Sequence, residues 1–164
     1  MYLDIAQRIS EESHAIRLKV GAVFVSEDGV MSTGINGLPP DGSNECEHKI
    51  YDKFAKSTLD HYDFIRLLPY EDEHGRYRLV TKDETSHAEE NLFSKLMRQG
   101  VSTYGGSIFL THSPCINCAK IIIGAGIKSV YFSNNYGTQA GPAWLSANGV
   151  FVRHFNMEVN SADL

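Results

Sequence analysis

Apolar positions recur along this chain with two periods. Near the N-terminus Leu3, Ile5, Ala6, Ile9, Ser13 and Ile16 approximate a 3.6-residue spacing, with Asp4, Arg8, Glu11 and Glu12 between them. That predicts an amphipathic helix over residues 2–16. Val20 to Val25 is a short apolar run and reads as a strand. Glu27-Asp28-Gly29 then makes a turn, and Val30 to Ile35 a second strand, giving a hairpin. Asn36 to Asn44 is dense in Gly, Pro, Asn and Asp and reads as a loop.

Residues 45–85 show no clean period. Ile50 to Leu68 has room for a helix, which Pro69 would end. Tyr70 to Thr81 suggests a second hairpin turning at Gly75, with Arg76 to Thr81 its better strand. This stretch is expected to be a surface excursion without a catalytic role. From residue 84 helix and strand alternate. A helix over Glu84–Gln99 is capped by Thr85 or Ser86 and stopped by Gly100. A strand over Ser107–Thr111 leads into a second helix ending near Ile123. Strands at Val130–Ser133 and Val150–Phe155 flank a short helix over Pro142–Asn148. A hairpin followed by such alternation predicts an α/β fold, a mixed sheet with helices on both faces.

The chain has 164 residues, which fits one domain with a proper core. We read 1–164 as that domain, with an insert at about 47–86. No apolar run approaches the roughly 20 residues of a membrane span, and residues 1–6 lack the features of a signal peptide. Three cysteines, two of them in a metal-type motif, do not make a disulfide framework. A reducing, cytoplasmic setting is expected. Fifteen Lys and Arg against twenty Asp and Glu give a net charge of −5. That balance argues against a polynucleotide partner, whose binding relies on phosphate neutralisation.

The chemistry gathers in Thr111-His112-Ser113-Pro114-Cys115-Ile116-Asn117-Cys118, read with His87-Ala88-Glu89. Cys115 and Cys118 are spaced to share one face of a helix start. Pro114 suits the first helical position and Ser113 the cap before it. The positive end of the helix favours thiolates there. His87 supplies a third ligand. Three protein ligands leave one position of tetrahedral zinc open, the arrangement of a catalytic site. Zinc in such a site brings the pKa of its water to about 7. Glu89, near the metal yet unneeded as a ligand, is placed to shuttle protons. The pattern H-x-E then P-C-x-x-C is a signature of zinc nucleobase deaminases. The backbone N–H groups of Ala88 and Cys115, at free helix starts, are placed to bind a base carbonyl. His112, at a strand end, is expected to point away from the metal. A thioredoxin-like redox pair is disfavoured by His87 and Glu89.

Beyond that signature the chain resembles the deoxycytidylate (dCMP) deaminases of phages and eukaryotes. The resemblance rests on Lys19-Val20-Gly21-Ala22-Val23, on Ser32-Thr33-Gly34-Ile35-Asn36-Gly37-Leu38-Pro39, on His87-Ala88-Glu89-Glu90-Asn91, and on Thr111 to Lys120 continued by Gly126-Ile127-Lys128. Ile35 stands where the family usually has Tyr, and residues 47–86 are poorly covered. The resemblance implies a three-layer α/β/α fold with a mixed five-stranded sheet, as in cytidine deaminase. It implies hydrolysis of dCMP to dUMP and ammonia, with one catalytic Zn2+ per subunit. Asn36 would hold the deoxyribose hydroxyl, and Asn91 would buttress its loop. The Ser113 carbonyl would accept the substrate amino group, and Tyr136 would lie near the base or phosphate. Arg17 and Lys19 are the candidate phosphate cations. Homohexamers, activation by dCTP with Mg2+ and inhibition by dTTP are further implications, with Gly37, Gly42 and Asn44 presented to the triphosphate. A phage-encoded member would work in the host cytoplasm. Some phage members hold a second zinc through a cysteine near the end of the first helix. Here that neighbourhood reads Ser13-His14-Ala15-Ile16, so a second site would need Cys46 with His48, His61 or His74.

Other readings stay open on sequence alone. A related substrate such as dCTP, deoxycytidine or cytidine is one, and a non-catalytic zinc-binding module is another. The acidic charge weighs against a tRNA deaminase. Glu89 and the open ligand position weigh against the module.

Overall fold

The computed structural model describes residues 1–39, 43–51 and 61–156. Its centre is a five-stranded sheet in the order β2-β1-β6-β7-β8. The strands are β1 (Gly21–Val25), β2 (Met31–Ile35), β6 (Ser107–His112), β7 (Ser129–Asn134) and β8 (Phe151–His154). β1 runs antiparallel to β2 and β6, while β6, β7 and β8 are parallel. The sheet is therefore mixed, as expected. A smaller antiparallel sheet, ordered β3-β5-β4, is built from β3 (Glu47–Tyr51), β4 (Tyr70–Asp72) and β5 (Gly75–Thr81).

Helix α1 (Tyr2–Ser10) covers one face of the main sheet, against β1 and β6. Helices α3 (Ala88–Gln99), α4 (Ile116–Gly124) and α5 (Ala140–Ala147) lie on the other. The core sits between them. Phe24, Ile108, Leu110, Val130 and Phe132 from the strands meet Leu92, Phe93, Leu96, Ile122 and Leu145 from the helices, all buried. Alternation along each strand sends its other residues to the α1 face, where Phe109 stacks on Tyr131 and Tyr2 packs on Phe109 at a tilt.

The two functional helices owe their placement to close backbone approaches. A Cβ on Gly34 of β2 would collide with the Ala88 carbonyl and with Leu92. Only Gly lets the start of α3 come so near the sheet. Gly100 ends α3 in the left-handed region, φ 66°.

Four expectations are corrected. Helix α3 starts at Ala88 with His87 as its cap, not at Glu84 behind Thr85 or Ser86. The first helix stops at Ser10, not residue 16, and Ile16 is exposed. The cause is Ser13, whose hydroxyl lies 2.8 Å from both the backbone and side-chain oxygens of Asn36 and so turns the chain off the helix axis. The helix expected over 50–68 is described as α2 (His61–Leu67), but its expected start is not helical: Ile50 and Tyr51 pair with Arg78 and Tyr77 in the small sheet. Residues 52–60 lie outside the described residues. The Pro-Cys helix starts at Ile116 with Cys115 as its cap, the Cys118 N–H donating to Cys115 Sγ at 3.4 Å. Ser113 is not the cap. Its hydroxyl instead accepts the Tyr136 N–H at 2.8 Å.

Candidate metal centre and active-site cavity

His87 caps α3 and Cys115 caps α4, so two helix starts face one point. His87 Nδ1 lies 3.7 Å from Cys115 Sγ and 3.4 Å from Cys118 Sγ. Zinc bonds of about 2.0–2.3 Å at tetrahedral angles place ligand atoms roughly 3.5–3.8 Å apart. The donor set therefore fits a zinc ion in both chemistry and spacing. Among the described residues it is the one group of three His, Cys, Asp or Glu donors brought together in this way. Cys46 is buried and His48 and His74 are exposed, and no second cluster of donors around Cys46 is assembled among the described residues.

Glu89 is buried beside this cluster, 4% exposed. Burial holds its carboxyl above the ordinary range, against the pull of a backbone N–H and of His87. Burial also pushes the Cys118 thiol up, helped by the charges of Glu89 and Cys115. A divalent cation at the centre offsets both costs. Glu90 is not inside. It closes a capping contact, the His87 N–H donating to its carboxylate at 2.7 Å.

A cavity of about 460 Å³ opens over the centre, within the roughly 300–1,000 Å³ of small-molecule sites. His87, Ala88, Glu89 and Cys115 form its floor, and Asn36, Ser113 and Tyr136 also line it. Arg17 is the one permanent cation on its wall among the described residues. Lys19 is not part of that wall, since its ammonium donates to the Glu11 carbonyl at 2.8 Å. Asn36 holds the loop as well as facing the cavity. Its Oδ1 accepts the Val20 N–H and its Nδ2 donates to the Leu18 carbonyl, each at 2.8 Å. Gly37 pairs with Ser86, one residue before His87, through two backbone hydrogen bonds of 3.0 and 3.1 Å. Asn44 is exposed outside the cavity, and Gly42 lies outside the described residues.

Some lining residues escaped the sequence reading. His112 is not in the donor cluster and lines the cavity, edge-on to Tyr136 with ring centroids 6.4 Å apart. Its Nδ1 is 3.0 Å from the wholly buried Thr111 hydroxyl, and burial lowers its pKa, which favours the neutral ring. Glu47, Thr81 and Thr85 come from the stretch taken for a surface excursion, and they too line the cavity. No local pattern marks them, because β3 and β5 reach the site only through their packing.

Residues 1–134 match the family described as the cytidine and deoxycytidylate deaminase zinc-binding region. The chain belongs to that family. It is 29% identical over 155 residues to the deoxycytidylate deaminase of Enterobacteria phage T4, covering 87% of this chain and 80% of the relative. The deoxycytidylate deaminase of Mycobacterium phage D29 is 29% identical over 133 residues, covering 80% and 90%. Among solved structures, the dCMP deaminase of cyanophage S-TIM5 in complex with dCMP and dUMP superposes with a TM-score of 0.71 at 31% identity. That match covers 94% of this chain and 93% of the other. The chain is thus a deaminase of the zinc-binding family, with a mixed five-stranded α/β fold. Among the described residues no helix is long and apolar enough to cross a membrane.

Proposed function

We propose that the protein hydrolyses dCMP to dUMP and ammonia. The observation that carries this is the buried Glu89 beside the His87, Cys115 and Cys118 donors, at the floor of a cavity whose wall bears the cation Arg17. The dCMP deaminases among its relatives support the substrate. His87, Cys115 and Cys118 hold the zinc ion, which when bound supplies Lewis-acid activation of water.

Glu89 does the proton work. It accepts a proton from the attacking water and passes it to ring N3 as the new C–O bond forms at C4. It then carries the second proton to the amino group, and the C4–N bond breaks with loss of ammonia. One carboxylate thus acts in both directions, and burial raises its pKa, which favours the protonated form it must pass through. The backbone N–H groups of Ala88 and Cys115 bind the base carbonyl, and the Ser113 carbonyl accepts from the amino group. Asn36 takes the sugar hydroxyl with its second Nδ2 hydrogen, which makes no hydrogen bond among the described residues. Arg17 takes the phosphate, and Tyr136 packs near the base. Ammonia release from dCMP, dCTP, deoxycytidine and cytidine tests this reading. dCMP should give the highest kcat/KM, and preference for an unphosphorylated nucleoside or for dCTP would replace it.

The proposal includes regulation by dCTP with Mg2+ as activator and dTTP as inhibitor, a homohexamer, and work in the cytoplasm of a host cell. These follow from the resemblance to phage and eukaryotic members. The Gly37–Ser86 pairing favours a regulatory loop, because an effector held near Gly37, Gly42 and Asn44 would pull on the residue next to His87. A dCTP titration at low dCMP should raise the rate, and a flat response removes the regulatory part alone.

A further inference from the structure

The small sheet reaches the cavity through two residues that face each other across β3 and β5. Glu47 and Thr81 are register partners in that ladder. Glu47 is buried, 8% exposed, and its Oε1 accepts the backbone N–H of Ile16 at 3.0 Å and of Arg17 at 3.1 Å. Thr81 Oγ1 accepts from Arg17 Nη1 at 3.0 Å. One strand therefore grips the backbone of Arg17 and its neighbour strand grips the guanidinium. All three residues line the same cavity as His87 and Glu89.

These contacts have a physical consequence. A free arginine on a surface loop gives up rotamer entropy when it closes on a ligand. Here the loop is clamped by charge-assisted hydrogen bonds to a buried carboxylate, and the side chain is tethered at its tip. Most of that ordering is complete before substrate arrives. A buried carboxylate is expensive unless it is hydrogen-bonded, and the two amide N–H groups are what Glu47 is bonded to. Its charge is turned to the backbone of residues 16 and 17.

We infer that Glu47 and Thr81 are positioning residues for the phosphate of a nucleoside monophosphate, acting through Arg17. The inference rests on the dCMP reading above and extends it. The small sheet then sets substrate affinity, and its placement beside the zinc site has a function.

The test is steady-state kinetics of the zinc-loaded enzyme on dCMP, together with competitive inhibition by inorganic phosphate. Thr81→Val removes the acceptor without changing shape. It should raise KM for dCMP and the inhibition constant for phosphate together, each about tenfold, as one hydrogen bond of about 1.4 kcal/mol would. kcat should stay within about twofold. Thr81→Ser keeps the hydroxyl and should restore both constants. Glu47→Ala should raise the same two constants, and Glu47→Gln, whose amide oxygen still accepts, should raise them less. Unchanged constants in Thr81→Val, a fall in kcat without a change in the phosphate constant, or lower KM in Glu47→Gln would each overturn the inference. A wild-type protein inert toward dCMP would overturn the substrate reading and this inference with it. An active wild type with an indifferent Thr81→Val overturns the inference alone.

Discussion

Asn91 Nδ2 donates to the backbone carbonyl of Ile35 at 2.8 Å. The bond ties α3, which carries His87 and Glu89, to the residue just before Asn36. It joins the Gly37–Ser86 backbone pair and the Lys95 Nζ–Thr33 carbonyl bond of 2.6 Å in tying the two walls of the cavity together.

Replacing Asn91 with Ala should loosen that tie. Loss of one partly buried hydrogen bond costs about 1 kcal/mol, read as a lower urea midpoint at unchanged slope. Because the loop bearing Asn36 would drift, KM for dCMP should rise as well. A variant with native stability and native KM would show that the Asn91–Ile35 bond holds nothing the site uses.

Glu89→Gln keeps the size of the side chain and removes its ability to carry protons. Zinc content, measured by metal analysis, should stay at the wild-type value because Glu89 is not among the three donors. kcat should fall by at least 10²–10⁴, the contribution typical of a general acid–base group. Retained turnover would refute the assignment of proton transfer to this residue.

Much of this was legible in the chain itself, for a physical reason. The zinc donors and Glu89 sit at helix starts, so short spacings in sequence become short distances in space. The main sheet was equally readable, because its strands are apolar runs bounded by turn formers, as at Val20–Val25 and Val130–Ser133. Helix ends were less so. Ser13 and Ser113 look like helical or capping residues, yet both are drawn into long-range hydrogen bonds, to Asn36 and Tyr136. The small sheet was hardest. Glu47 and Thr81 are 34 positions apart, and only the β3–β5 register sets them opposite each other. Neither residue type, read locally, says that it faces a cavity.

Gly141 offers a test of how α5 supports the Pro-Cys turn. A Cβ at this position would be built into the Pro114 carbonyl oxygen and against Cys115. Backbone atoms on both sides have nowhere to go, so Gly141→Ala should destabilise the fold by about 1–3 kcal/mol. The displaced turn carries Cys115, so zinc should also dissociate faster in a competition with a chelating dye. Wild-type melting and metal retention would mean that α5 can shift without disturbing the centre.

Strong acid should remove one ion pair that fastens the small sheet. The Lys49 ammonium, 2.6 Å from Asp72, holds the Asp72 carboxyl down to about 2, with the Tyr51 hydroxyl adding a second hydrogen bond. A depressed carboxyl contributes stability that is present above its ordinary value near 3.8 and lost as pH falls through about 2. Lys49 is shifted the opposite way, upward, so its share is present below its ordinary value near 10.5 and lost only in strong base. Asp72→Asn should therefore flatten the melting temperature between pH 5 and pH 2.5 relative to wild type. Parallel acid profiles for the two proteins would mean the pair contributes nothing in solution.

Metal removal tests the centre as a structural as well as a chemical element. Three donors from two helix starts converge at Nδ1–Sγ distances of 3.4 and 3.7 Å. Without a cation, burial and the neighbouring Glu89 keep the Cys118 thiol protonated, and the donors join α3 to α4 only through the weak contacts of His87 Nδ1 with the two sulfurs. A ligand that binds only the folded state stabilises it by about 4 kcal/mol at a thousandfold excess over Kd. Dialysis against a chelator should therefore lower the melting temperature by several degrees and abolish ammonia release. Returning Zn2+ should restore both, saturating at one ion per chain. Cys118→Ala should melt like the stripped protein and gain nothing from added zinc. If the stripped protein kept the melting temperature of the loaded one, the two helix starts would be held together without the ion. The convergence of His87, Cys115 and Cys118 would then belong to the fold and not to a metal site.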